Sequence, residues 1–280
     1  MSPDRRKAAL RWSILFGGVT AAVIGVVVSL WLIPRFNGKN GADEARVIPE
    51  AKVRISSRFP SPSQEQAIDL VTRAIENRDP DQVESLFRTN SAGHAEVVNF
   101  CKGLKERDGA VERYDWLSSM DVDGLLVEGV LVVFKGKDKP RERLAFLTPD
   151  STGQWKMDYE AFARPVIPSW DQLLEKSWMK SARVRVLVAS DVYFNGPFSD
   201  DKQWVCYKIV SPDTEQLLRG YCRVGSPQAA GMKKLFVEGV TASRATLEIQ
   251  RVKDGGPSQF EIMQLVGQDW IIPDSAGAKN

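Results

Sequence analysis

The longest apolar block comes early: Trp12 to Ile33, WSILFGGVTAAVIGVVVSLWLI, carries no ionisable side chain over 22 residues. As a helix, a run of that length spans the roughly 30 Å hydrocarbon layer of a bilayer. Trp12 and Trp31 fall where indole rings favour the membrane interface, and Pro34 follows where a helix can end. Arg5, Arg6, Lys7 and Arg11 precede the block against Arg35, Lys39 and Arg46 behind it, a bias that points the N-terminus inward. A cleaved signal peptide is the competing reading. Its apolar core is shorter and ends at small residues, whereas this run meets Leu-Ile-Pro-Arg. The pattern therefore predicts an uncleaved, single-pass anchor in the inner (cytoplasmic) membrane, with residues 1–11 as a cytoplasmic tail, 12–34 as the transmembrane helix and the rest outside the cytoplasm. Gly17, Ala21, Gly25 and Ser29 recur at spacing four and form a candidate stripe for helix packing.

Residues 35–62, rich in Gly, Asn, Ser and Pro, read as a flexible tether. Ser63 with Gln66 makes a capping-box pattern, and Ala67, Leu70, Val71, Ala74 and Ile75 then recur at helical spacing. A short helix carrying Val83, Leu86 and Phe87 and a third helix from His94 to Lys105 complete a helical opening. The period then switches to two: 124–134, 141–147 and 154–162 read as strands between Gly- and Pro-containing turns. In the last, Trp155, Met157 and Tyr159 alternate with Lys156, Asp158 and Glu160, predicting one buried and one wet face. Helices on one face of an antiparallel sheet is the implied architecture of an α+β domain over 63–164.

The run Glu-Asn-Arg-Asp-Pro-Asp-Gln-Val-Glu-Ser-Leu-Phe, followed by short helices and by hairpins ending in Gly-Gln-Trp-Lys-Met-Asp, resembles the nuclear-transport-factor-2-like superfamily of cone-shaped α+β domains. The resemblance covers residues 63–163 and specifies fold better than activity. It implies a curved sheet around a pocket, and it embraces enzymes, binders and membrane-anchored assembly subunits alike.

The second half, 165–274, restarts with Ser169 capping a helix whose Trp170, Leu173, Leu174 and Trp178 share a face. Strands at 183–188, around Cys206 and Cys222, and at a final hairpin over Asp254-Gly255-Gly256-Pro257 follow, with a helix near 227–236. The echo of Gly153-Gln154-Trp155 in Gly267-Gln268-Asp269-Trp270 suggests a second α+β domain that is a diverged copy of the first. The order three strands, helix, two strands suggests instead a small barrel of the oligonucleotide/oligosaccharide-binding (OB) type. Residues 275–280 read as a disordered tail.

Composition changes this picture little. With 38 basic and 36 acidic side chains interspersed, the formal charge of +2 argues against nucleic acid. If the Cys206/Cys222 hairpin is symmetric about Thr214, the two cysteines face each other and form a candidate disulfide in an oxidising compartment; Cys101 sits on a helix face with Val97 and Leu104 as a core residue. One histidine, His94, leaves no partner set for a triad or a zinc site. Ser177-Trp178-Met179-Lys180 matches Ser-x-x-Lys without that motif's companions. Asp115, Glu128, Asp158 and Glu160 are the carboxylates available to a pocket, and their spacing reads as wet strand faces. No catalytic, cofactor-binding or metal-ligating set is expected.

The sequence thus reads as a membrane-anchored, non-catalytic scaffold or binding protein of the cell envelope. Its expected partners are the lipid bilayer and another envelope protein or a cell-wall component, with no nucleic acid and with homo-oligomers as a further expectation. Tyr193, Phe194 and Phe198 form the favoured contact loop. The alternatives are a small-molecule binder or enzyme using the first domain's pocket, and a bitopic subunit of a secretion- or conjugation-type assembly.

Overall fold

The computed structural model describes residues 59–122, 124–175, 177–237 and 240–272. Ser63 begins the first helix as its pattern predicts. Its hydroxyl accepts from the Gln66 N–H at 3.1 Å while Gln66 Oε1 accepts from the Ser63 N–H at 2.8 Å. The two together satisfy donors that a helix start leaves open. Helix α1 (Gln64–Glu76) buries Ala67, Val71, Ala74 and Ile75 on one face. After α2 (Val83–Leu86) and the two-residue strand β1 (Phe87–Arg88), helix α3 (His94–Asp108) buries Val97, Val98, Cys101 and Leu104.

These helices lie on a sheet built from β2 (Val111–Val122), β3 (Leu125–Phe134), β4 (Arg141–Pro149) and β5 (Trp155–Asp158), in the order β1-β5-β4-β3-β2. All neighbours are antiparallel except β1 with β5. Alternate residues Leu126, Val130, Val132 and Phe134 of β3 meet Ala145, Leu147, Trp155 and Met157 in a core under the helices. Each large apolar side chain buried there contributes about 1.5–3 kcal/mol. The opposite face of β3 is buried too, through Val127, Leu131 and Val133.

A short helix α4 (Tyr159–Ala163) and then α5 (Trp170–Leu174) lead into the second half. Its strands are β6 (Ser181–Asp191), β7 (Trp204–Val210), β8 (Leu218–Arg223), β9 (Ala242–Arg251) and β10 (Gln259–Gly267), with α6 (Pro227–Lys233) between β8 and β9. They close into a barrel in the order β10-β8-β7-β6-β9, with β8 and β10 parallel. Closure removes the free edges that an open sheet would expose. Inside are Val184, Val186, Val188, Tyr207, Ile209, Leu218, Cys222, Leu247, Ile249, Phe260 and Ile262, plugged by Met232 of α6. Gly220 is obligatory at this density, because a Cβ there would lie 2.6 Å from Ile209 Cδ1 and 2.8 Å from Ile262 Cδ1.

Four expectations are corrected. The single-pass inner-membrane assignment is not sustained: no helix among the described residues is long and apolar enough to cross a membrane. The span Trp12–Ile33, with Gly17, Ala21, Gly25 and Ser29, lies outside the described residues. Two α+β domains give way to a mostly β architecture of two five-stranded sheets, in which only α1 and α3 exceed seven residues among the described helices. The diverged-copy reading fails because the first sheet is open and the second closed. Trp155 lies in β5, whereas Trp270 lies beyond β10. The strand expected over 154–162 stops at Asp158, whose carboxylate accepts the Ala161 N–H at 2.7 Å and starts α4 instead.

Candidate functional site

The chemistry-bearing side chains gather in three places. The first is the interior beneath α1 and α3. Glu128 on β3 faces Ser119 across the β2–β3 ladder and is fully buried. One carboxylate oxygen accepts from Trp116 Nε1 at 2.9 Å and the other from Ser119 Oγ at 2.7 Å. Two fixed donors on two oxygens satisfy the group, as burial in a low-dielectric core demands. Trp116, Val130, Leu147 and Tyr159 belong to the buried core of the same sheet.

The second place is the junction of the two sheets. Asp158, with no exposed surface, accepts from Arg88 at 2.7 Å. Burial pushes its carboxyl up to about 6, against the pull of the Ala161 N–H and of Arg88. Glu160, expected on a wet face, is likewise buried. Its Oε1 receives the consecutive N–H groups of Asn90, Ser91 and Ala92 at 2.7, 2.9 and 3.3 Å, a backbone nest filled from within. Arg185 of β6 is lowered by burial and stabilised by Asp158 and Glu160. Beside them Arg164 clasps Asp213 of the β7–β8 turn with two bonds, 2.7 and 2.9 Å, and Arg143 pairs with Asp108 at 2.7 Å. Burial raises the Asp213 carboxyl, but Arg164 and Arg143 outweigh it and hold the group below its usual range.

Residues 269–272 complete the junction. Trp270, fully buried, donates from Nε1 to the Val186 carbonyl at 3.0 Å, and its own carbonyl accepts from Arg185 Nε at 2.8 Å. Asp269 takes a two-pronged contact from Arg244 at 2.8 and 3.0 Å, and the Ile272 carbonyl accepts from Arg88. Arg88 therefore touches both Asp158 of the first sheet and the segment that leaves the barrel.

The third place is the outer wall of the barrel along β8. Residues 219, 221 and 223 alternate outward, and each carries a stacked ring. Arg219 lies 3.8 Å over Tyr193, and Arg223 lies 4.6 Å over Trp204. Between them Tyr221 is stacked on Phe198 with centroids 3.9 Å apart. The β6–β7 connection supplies Tyr193 and Phe198, and Asn195 fastens it by accepting from Gln259 Nε2 at 2.7 Å. Of the expected contact loop, Phe198 is thus buried, Phe194 is packed partly against this cluster, and Tyr193 remains half-exposed.

Cys206 and Cys222 do not face each other. Cys206 pairs with Tyr221 and Cys222 with Val205, so one thiol lies on the outer wall with Phe198 and the other inside the barrel. The ladder turns midway between Asp213 and Thr214 rather than at Thr214, and that offset sends the two side chains to opposite faces. All three cysteines are free thiols, and burial pushes Cys101 up to about 11 and Cys222 up to about 12. His94 is half-exposed at the start of α3, 3.9 Å from Glu84. Ser177 to Lys180 lie outside any helix, so the lysine is not one helical turn from the serine.

Sequence reasoning missed the junction. Its arginines come from β1, β4, the residue after α4, β6 and β9, with no common spacing. The one local signal was Asp158 three residues ahead of Ala161, the spacing of a helix cap. Compared with known proteins, the chain matches no family model, no curated protein and no solved structure.

Proposed function

We propose that the chain is a non-catalytic binding protein that seats a protein partner on one end of its barrel wall and uses the first sheet as a rigid mount. The observation that carries this reading is the placement of exposed apolar side chains. Val192, Tyr193, Val224 and Met263 are four of the seven large apolar residues that stand exposed among those described. Val192 follows the end of β6 and Val224 the end of β8, with Met263 at the matching level of β10, whereas the ring of Tyr193 turns back over Arg219 at the start of β8. Arg223, over Trp204, stands among them. Exposed apolar side chains beside arginines and aromatic rings have the composition of a protein-binding surface.

The buried carboxylates support the same reading. Glu128 and Asp158 have both oxygens occupied by fixed donors of the protein and Glu160 one, which suits structural work better than turnover. The test is site-specific photo-crosslinking in the native cell, with the reactive residue at Val192 or Val224 and a control at exposed Lys102 of α3. A discrete adduct from the barrel positions alone supports the proposal. Equal adducts from all three positions, or none from the barrel, would sink it.

A further inference from the structure

The first sheet ends in β2, a strand of 12 residues whose inner edge is fully used by β3. Among the described residues no strand pairs with its outer edge. A long free edge offers a row of unpaired backbone donors and acceptors and is the natural template for another strand. The charges on this edge say which strand fits. Tyr114 packs toward the core under the helices, so its neighbours Arg113 and Asp115 project from the other face, where they pair with each other at 2.9 Å and remain about half-exposed. In an antiparallel pair of two identical strands with a two-fold axis at Tyr114, Arg113 of one copy faces Asp115 of the other, twice over. Moving the axis one residue either way sets Arg113 against Arg113 or Asp115 against Asp115. The register is therefore specified by attraction at one axis and repulsion at its neighbours.

We propose that β2 is a self-pairing edge through which two copies of this chain join their first sheets into one continuous antiparallel sheet, with the axis at Tyr114. With the axis at Tyr114, the ladder shifts around Glu112 and Leu117 confine the pairing to Arg113–Asp115. The contact is accordingly small and reversible, an association set by concentration rather than an obligate dimer.

Sedimentation velocity on the full chain over a concentration series tests this. The expected result is a monomer–dimer equilibrium. Arg113→Asp places like charges opposite each other at both cross-strand sites and weakens the equilibrium by roughly tenfold. The exchanged variant Arg113→Asp/Asp115→Arg is again self-complementary and restores it. A chain that stays monomeric at the highest concentration overturns the proposal, and so does a dimer whose constant is unchanged by Arg113→Asp or one that the exchanged variant does not restore. Both side chains are at the surface, and the melting temperatures of the two variants report any loss of folding separately.

Discussion

The Asp158 carboxyl makes the junction accessible to a titration. Its folded pKa of about 6 stands above the ordinary carboxylate value, so the native state binds this proton more tightly than the unfolded chain does. The resulting stability is fully present when pH lies below the unfolded value near 4, and it is lost as pH rises through the folded value near 6. A shift of about two units corresponds to about 3 kcal/mol between those limits. Asp213, held below its usual range by Arg164 and Arg143, contributes with the opposite sign as pH falls further, so wild-type stability alone does not isolate the effect. The difference between wild type and Asp158→Asn does, since the remaining groups are common to both chains. Asn keeps an oxygen for the Ala161 N–H but carries no titrating proton, so the pH-dependent part of the difference belongs to Asp158. Measured by urea unfolding at half-unit steps, the stability of wild type relative to the variant should rise by about 2 kcal/mol as pH falls from 7 to 4. A flat difference, or one that shrinks on acidification, would refute the account of a carboxylate held at a cost by burial.

Three further outcomes follow from particular contacts. Phe198→Ala removes the ring stacked on Tyr221 and should cost about 3–5 kcal/mol in urea unfolding, against about 1–2 for the less buried Phe194→Ala. The thiols of Cys101, Cys206 and Cys222 are buried and all shifted upward, so a thiol reagent at pH 8 should label none in the native chain and all three after denaturation. At Gly136, with φ 63°, an added Cβ would lie 1.8 Å from the Lys139 carbonyl oxygen. Gly136→Ala should thus lose at least about 3 kcal/mol by thermal unfolding, while Gly124→Ala, with a similar φ but open space, loses about 1–2.

What could be read ahead of the structure was local. The capping box at Ser63, the apolar stripe of α1 and the strand run ending at Phe134 depend on neighbours a few residues away, and their patterns carried through. The Cys206/Cys222 hairpin shows how little displacement suffices to defeat such reasoning. Its turn lies half a residue from the assumed centre, and every facing pair changes partner. Asp158 and Glu160 alternate as a wet strand face should, yet both are buried, because the chain bends into α4 and the barrel then covers them. Closure of the barrel by β8 and β10, and the meeting of Arg88 with Ile272, join residues far apart in sequence. No window of a dozen residues contains that information.

The segment from Asp269 to Ile272 also imposes an order of events. Arg88, Asp158 and Arg185 all leave the ribosome well before the residues that bridge them. Until Trp270 emerges, the buried guanidinium groups of the junction have only part of their partners. The joining of the two halves is therefore a late step in the life of the nascent chain. A translation pause ahead of Asp269 would leave Arg88, Arg185 and Arg244 without these partners.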